Sequence, residues 1–294
     1  MFNKFSARST ALRNCALVAT LFLVGCSAGG FDIGGINIRR GGADTEALSP
    51  DLARSDDAQV AQLYNAGLDE LKSGKYTEAA KKFSELERLH PYSIWATKGL
   101  LMQAFANYQN NKYSDAIDAS QRFIALHPGH ENIDYAYYIV ALSQYEQIGD
   151  IERDQSQTQK ALDALEEVAR RFPDSRYAAD AQLKARLARD HLAAKDMEVG
   201  RYYFKKGDWL AGINRFKDEI TVYQQTSQTP EALYRLSEGY MALGIRSEAQ
   251  TAAAVLGHNF PSSTWYRDAY TLVASDGHAP TASSESWITK AFGL

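Results

Sequence analysis

The chain has 294 residues, enough for one or two domains, is 45% hydrophobic and carries a formal net charge of −4. That balance excludes a nucleic-acid partner, which would require a basic face, and gives no electrostatic hold on anionic lipid. Its two cysteines, Cys15 and Cys26, both lie near the N-terminus, so the rest of the chain has no thiol to pair and must be held by apolar packing.

Residues 1–25 read as a signal peptide. Lys4, Arg8 and Arg13 precede an apolar run from Cys15 to Val24, which is too short to span a bilayer as a mature helix. Leu23-Val24-Gly25-Cys26 sets a small residue before a cysteine, the pattern that a lipoprotein signal peptidase cleaves. The expected mature N-terminus is therefore Cys26, lipidated on its thiol. Two or three acyl chains anchor stably, at about 0.8 kcal/mol per buried CH2. Ser27 follows rather than Asp, which by resemblance to sorted bacterial lipoproteins favours the periplasmic face of the outer membrane. The three basic residues leave with the signal peptide, so the mature chain is more acidic still. Residues 26–57 are Gly-rich and poor in apolar side chains. They read as a flexible tether with a reach on the order of 30 Å.

Residues 58–274 carry a repeat. Gly74, Tyr76, Ala79, Phe83 and Pro91 form one register. It recurs as Tyr113, Ala116, Phe123 and Pro128, then as Ala161, Leu165, Val168 and Pro173. A fourth copy reads Gly207, Trp209, Gly212 and Phe216, and a fifth Gly244, Ala249, Leu256 and Pro261. In four copies the proline stands 12 residues after the small residue. Each copy predicts a helix A, a tight turn, and a helix B whose small residue lets the two helices approach and whose proline stops it. This resembles the tetratricopeptide (TPR) pattern, with a period of about 34 residues. The expected fold is all-α, a TPR α-solenoid of about five helix-turn-helix repeats with flexible N- and C-terminal tails. The small residues fall 37, 45, 51 and 37 apart. The first excess contains a polar loop, Gly149 to Gln155, and the second lengthens a helical stretch from Ser175 to about Lys195. The fourth copy has Gln224 where the others have proline. Residues 275–294 read as a linker-like tail with a short apolar end at Trp287, Ile288, Ala291 and Phe292.

The lipobox, the Gly-rich tether and five irregular repeats together resemble the BamD (ComL) family, lipoproteins of the outer-membrane β-barrel assembly (Bam) machinery. His130-Glu131-Asn132-Ile133-Asp134-Tyr135 looks like the family's His-x-Asn-x-Asp-Tyr segment. Asp150 to Gln155 looks like its inserted loop, Pro91-Tyr92-Ser93 like its first inter-repeat turn, and Val199 to Arg215 like its fourth repeat. The resemblance implies a non-enzymatic scaffold. Its partners would be the barrel-inserting subunit, the other Bam lipoproteins and unfolded outer-membrane proteins. It implies that Arg215, in the Asn214-Arg215 pair of the fourth repeat, docks the barrel subunit's periplasmic domains. The residues alone leave open a surface i,i+4 pair between Arg215 and Glu219. A TPR lipoprotein acting as a pilotin or cell-envelope coordinator is the alternative.

A substrate-peptide groove is expected on the A helices of the first two repeats, near Tyr64, Leu68, Leu101, Phe105 and Tyr108. Stacked aromatics there suit an extended segment ending in an aromatic residue. The competing reading is that these residues fill the space between helices. No catalytic constellation is legible. His127 and His130 lack a cysteine or carboxylate at ligand spacing, and Glu166-Glu167 diverge on a helix. Neither a cofactor nor a metal is expected.

Overall fold

The computed structural model describes residues 30–33, 36–39, 55–275, 277 and 279–294. The signal peptide and Cys26 lie outside the described residues. The chain divides into two units, Met1–Asp44 and Thr45–Leu294. In the first, within the span expected to be a tether, β1 (Gly30–Ile33) and β2 (Ile36–Arg39) pair antiparallel, with Phe31 opposite Ile38 and Ile33 opposite Ile36. Apolar and polar residues alternate along both strands, and Gly34-Gly35 separates them in the sequence, a dipeptide that two-residue hairpins favour.

The second unit is helical. Five antiparallel pairs follow in order: α1 (Ser55–Lys72) with α2 (Tyr76–Leu89), α3 (Ile94–Gln109) with α4 (Tyr113–Leu126), α5 (Ile133–Tyr145) with α6 (Ser156–Arg171), α7 (Ala178–Lys205) with α8 (Trp209–Val222), and α9 (Thr229–Ala242) with α10 (Arg246–Asn259). α11 (Thr264–Ala274) packs on α9 and α10, and α12 (Trp287–Phe292) on α10 and α8. From α1 to α11 each helix packs on the next, and the A helices α1, α3, α5 and α7 also touch in series. Among the described residues no helix is long and apolar enough to cross a membrane.

The repeat signals have direct backbone causes. Between A and B helices, Gly74, Gly207 and Gly244 take positive φ of 73°, 79° and 75°. In the second repeat Asn111 fills that slot at φ 58°; Asn tolerates the left-handed region better than other non-glycine residues. The next N–H reaches back five residues each time, Lys75 to the Glu70 carbonyl, Lys112 to Asn107, Asp208 to Tyr203 and Ile245 to Tyr240. This closes the A helix as a Schellman-type cap. At the other end, the residue before each proline is driven out of the helical region. His90, His127, Phe172 and Phe260 have φ between −129° and −134°. The fourth repeat, lacking the proline, ends differently at Tyr223, with φ −116° and ψ 28°.

The small residues sit where the helices cross. Ala79, Ala116, Ala161 and Ala249 are fully buried. A Cβ added at Gly212 would lie 2.2 Å from the Phe204 ring, which stands edge-on to Phe216 with centroids 4.9 Å apart. The two length excesses belong together. α7 extends to Lys205, beyond the expected Lys195, and its middle turns, at His191 and Lys195, meet the loop after α5. There Lys195 Nζ donates to the Glu152 carbonyl at 3.0 Å, and His191 Nδ1 lies 3.0 Å from Gln155 Oε1. Gln155 Nε2 in turn donates to the carbonyls of Asp150, Ile151 and Arg153. The polar loop is thus a folded clamp on α7.

The C-terminal tail corrects the expectation of flexibility. Its end folds as α12, and Ile288 is fully buried in the core cluster of the fourth and fifth repeats.

Candidate functional site

The sequence marked one face on the first two A helices and one arginine on the fourth B helix. The structure reassigns most of the first group. Val60, Tyr64, Leu68 and Leu71 follow helical spacing on α1, which packs on α2 and α3. Tyr64 is 2% exposed, Leu68 0%, Leu101 3% and Phe105 8%. The Tyr64 ring lies 5.7 Å from Phe83 and 5.2 Å from Trp95. These four are interhelical core, and the competing reading describes them. A peptide side chain cannot reach them without displacing the packing. Tyr108, one turn beyond Phe105 on α3, is half-buried and donates to Glu146 Oε1 at 3.3 Å.

The accessible aromatic face therefore lies further along, across α3, α5 and α7. Tyr138 and Tyr145 are seven residues apart on α5, two turns, and share a face. Tyr138 stacks on Tyr177 with centroids 4.7 Å apart, and its hydroxyl donates to Asp180 Oδ2 at 2.5 Å. Lys184, one turn on from Asp180 along α7, donates to both carboxylate oxygens at 2.7 Å and lies 6.0 Å from the Tyr145 ring centroid. Leu183 and Leu187, each 48% exposed, flank this pair on the same helix.

The electrostatics of the face are internally satisfied. Burial pushes the Asp180 carboxyl up, but the bonds from Lys184 and Tyr138 outweigh it and hold it below the usual range. Burial, and then the neighbouring carboxylates, raise the Tyr108 and Tyr138 hydroxyls far above their ordinary value, so both remain neutral donors at any physiological pH. The arrangement offers ring faces, hydroxyls and one carboxylate–ammonium pair, and it suits binding an extended segment. Tyr138, Tyr145, Asp180 and Lys184 were not singled out in the sequence as groove residues. The signal that could have found them was the seven-residue spacing of Tyr138 and Tyr145 on an A helix.

The segment from His130 to Tyr135 joins repeats. The His130 ring packs edge-on against Phe123, and its Nδ1 accepts the Asn132 N–H at 3.1 Å. Asp134 Oδ2 accepts from Ser175 Oγ at 2.6 Å across the third repeat. His127 Nε2 lies 3.4 Å from Thr97 Oγ1. Among the described residues no group of three or more His, Cys, Asp or Glu could hold a metal.

On α8 the structure also corrects a pairing. Arg215, about half exposed, does not pair with Glu219. Its Nη1 lies 3.4 Å from Asp196 Oδ1 on α7. Glu219 points inward, fully buried, and its Oε1 accepts from Thr226 Oγ1 at 2.5 Å. Oε2 has no hydrogen-bond partner. Burial, opposed by the threonine bonds and reinforced by Asp196 and Asp190, pushes the Glu219 carboxyl up to about 7.

Comparison with known proteins assigns the helical unit. A family model described as "YfiO: Outer membrane lipoprotein" matches residues 56–256. A relative from Caulobacter vibrioides, named outer membrane protein assembly factor BamD, is 45% identical over 239 residues, which cover 81% of this chain and 78% of that protein. Relatives of the same name from Rickettsia prowazekii and Neisseria meningitidis serogroup A are 43% and 35% identical, covering 81% and 76% of this chain and 93% and 87% of theirs. Among solved structures, a thermophilic TPR protein of Thermus thermophilus matches with a TM-score of 0.34 at 19% identity, covering 74% of this chain and 97% of that one. The TPR2AB domain of yeast Sti1, solved in complex with pHSP90, matches with a TM-score of 0.41 at 14% identity, covering 74% and 83%.

Proposed function

The chain belongs to the YfiO family of outer-membrane lipoproteins, and we propose that it works there as a non-enzymatic scaffold of β-barrel assembly. Its relatives carry the name outer membrane protein assembly factor BamD, and a role as a Bam-complex subunit follows from that kinship. In this reading Cys26 carries the acyl chains that hold the protein at the periplasmic face of the outer membrane. Arg215 and the α7–α8 surface dock the barrel-inserting subunit. The other Bam lipoproteins share the array, and the A-helix face receives unfolded outer-membrane proteins. No cofactor enters this account, because holding two partners in register requires only complementary surfaces.

The observation that carries the substrate part is the tyrosine face of Tyr108, Tyr138 and Tyr145 with the Asp180–Lys184 pair. The rings accept an aromatic side chain, and the Tyr108 and Tyr138 hydroxyl oxygens, whose protons go to Glu146 and Asp180, keep lone pairs for the N–H groups of an extended backbone. The site expected at Tyr64, Leu68, Leu101 and Phe105 is thereby moved one or two repeats along the array. The test is titration of peptides ending in an aromatic residue against the wild type and Tyr108→Ala/Tyr138→Ala. Loss of two ring contacts, at about 0.5–1.5 kcal/mol each, predicts roughly 5- to 150-fold weaker binding with helicity unchanged. Equal affinity in a well-folded variant removes this face from the mechanism.

A further inference from the structure

The described residues after 276 form a connector and one short helix. Residues 279–285 are mostly exposed, and a six-residue helix such as α12 does not persist alone in water. It is formed by what it touches. Ser286 caps it, accepting the Ile288 N–H at 3.2 Å while donating to Glu248 Oε2 on α10 at 2.6 Å. The Trp287 indole N–H donates to the Tyr240 hydroxyl at 3.1 Å, and the Lys217 ammonium lies 5.0 Å from the Trp287 ring centroid. Ile288 inserts into the core and is fully buried. At the far end Gln224 Nε2 donates to the Ala291 carbonyl at 2.8 Å.

Gln224 stands at the position where the other four repeats carry proline. Proline has no amide side chain to offer. The departure of the fourth repeat from its own pattern therefore coincides with the residue that holds the last turn of α12. Beyond Phe292 the surface continues as an open cleft of about 330 Å³, lined by Gln224, Gln225, Thr226, Asn259 and Phe260 as well as Phe292. The tail fills only part of the face it lies on.

We propose that the surface between α8 and α10 is a docking site for a short helix, of which residues 283–292 are the exchangeable resident. The occupant it selects has a hydroxyl N-cap, then Trp and an aliphatic residue, then a small residue and an aromatic one turn later. A second copy of this segment in trans is the occupant of that chemistry that the structure identifies. Binding is by exchange, because the resident must leave before another helix lands.

The test uses the full chain. Hydrogen exchange is followed at Ile288–Phe292 and compared with Phe216–Ile220 in α8 and Ala252–Leu256 in α10. The tail amides are expected to exchange faster by about tenfold or more, through local release. A fluorescent peptide of residues 279–294 is then titrated against the wild type and Trp287→Ala. Weakening the resident is expected to tighten peptide binding by about tenfold, as removal of a competitor requires, and the peptide lacking its own Trp is expected to bind neither chain. If Trp287→Ala does not fold, Phe292→Ala, at the partly buried end of α12, weakens the same resident and leaves the α8–α10 surface intact. Tail amides that exchange in step with α8 and α10, or equal peptide affinity for the wild-type and weakened chains, overturn the proposal and make α12 a fixed part of the fold.

Discussion

Glu219 stands seven residues after the small residue of its repeat, where the other four repeats place Leu86, Phe123, Val168 and Leu256, all fully buried. Two sequence signals compete there. The i,i+4 spacing to Arg215 suggests a surface pair, while the repeat register requires an inward side chain. The register governs, because it is fixed by the packing of whole helices. The consequence is a pH dependence. The folded pKa of about 7 exceeds the ordinary carboxylate value of about 4.3. Between these limits the native state binds more protons than the unfolded chain, so stability falls as pH rises through that window. The full effect is at most about 4 kcal/mol. Glu219→Gln is expected to flatten this dependence and to be the more stable protein at pH 8. Urea unfolding of both chains at pH 5 and pH 8 checks it, and parallel curves would show that Glu219 does not titrate in the core. At the A–B turns the same logic separates two positions. Gly74 has open space around its Cα, so the cost of Gly74→Ala is conformational alone, about 1 kcal/mol. Asn111→Gly, already in the left-handed region, is expected to change the melting temperature by less than Gly74→Ala.

Helix by helix, the sequence exposes what repeats and hides what does not. The glycine and proline punctuation was legible because each residue has a backbone cause. The cap at Asn111 was missed because Asn signals a turn less loudly than Gly. The groove residues were misplaced for a physical reason. On an A helix, apolar residues three or four apart mark the buried stripe, and the accessible face is built from the half-polar positions beside it. Tyr64 and Tyr108 illustrate the difference. Tyr64→Ala is expected to cost about 3 kcal/mol or more of stability, because it empties a packed site between Phe83 and Trp95. Tyr108→Ala is expected to cost far less, about 1 kcal/mol, since its ring is half-exposed and its hydroxyl bond is long. Thermal or denaturant unfolding of the two variants distinguishes them. If Tyr108→Ala proves as costly as Tyr64→Ala, the tyrosine face is core and not a surface for ligands. α7 gives the complementary lesson. Its excess length and the inserted loop before α6 are separate irregularities in the sequence, and only the bonds from Lys195 and His191 show them to be one feature.

At the scale of the molecule, the two proposed partner surfaces share α7: the tyrosine face uses α3, α5 and the first turns of α7, at Asp180 and Lys184, while Arg215 on α8 pairs near the other end of α7, at Asp196. Arg215 is paired with Asp196 across α7 and α8, and an exposed pair of this kind contributes only about 0–1 kcal/mol to the fold. Arg215→Glu is therefore expected to leave helicity intact while loosening the barrel-subunit complex by about 2–5 kcal/mol, the effect of leaving an interfacial partner charge unpaired. Titration of the purified periplasmic domains against both chains separates this from a purely structural role, for which affinity would change less than about threefold. The most direct test of the central claim is a mild-detergent pull-down of the full chain from native membranes, with mass spectrometry of what comes with it. The account predicts a large β-barrel subunit in near-stoichiometric yield, depleted when Arg215→Glu is the bait. Recovery of the chain without any barrel subunit, from membranes in which that subunit is abundant, would contradict it.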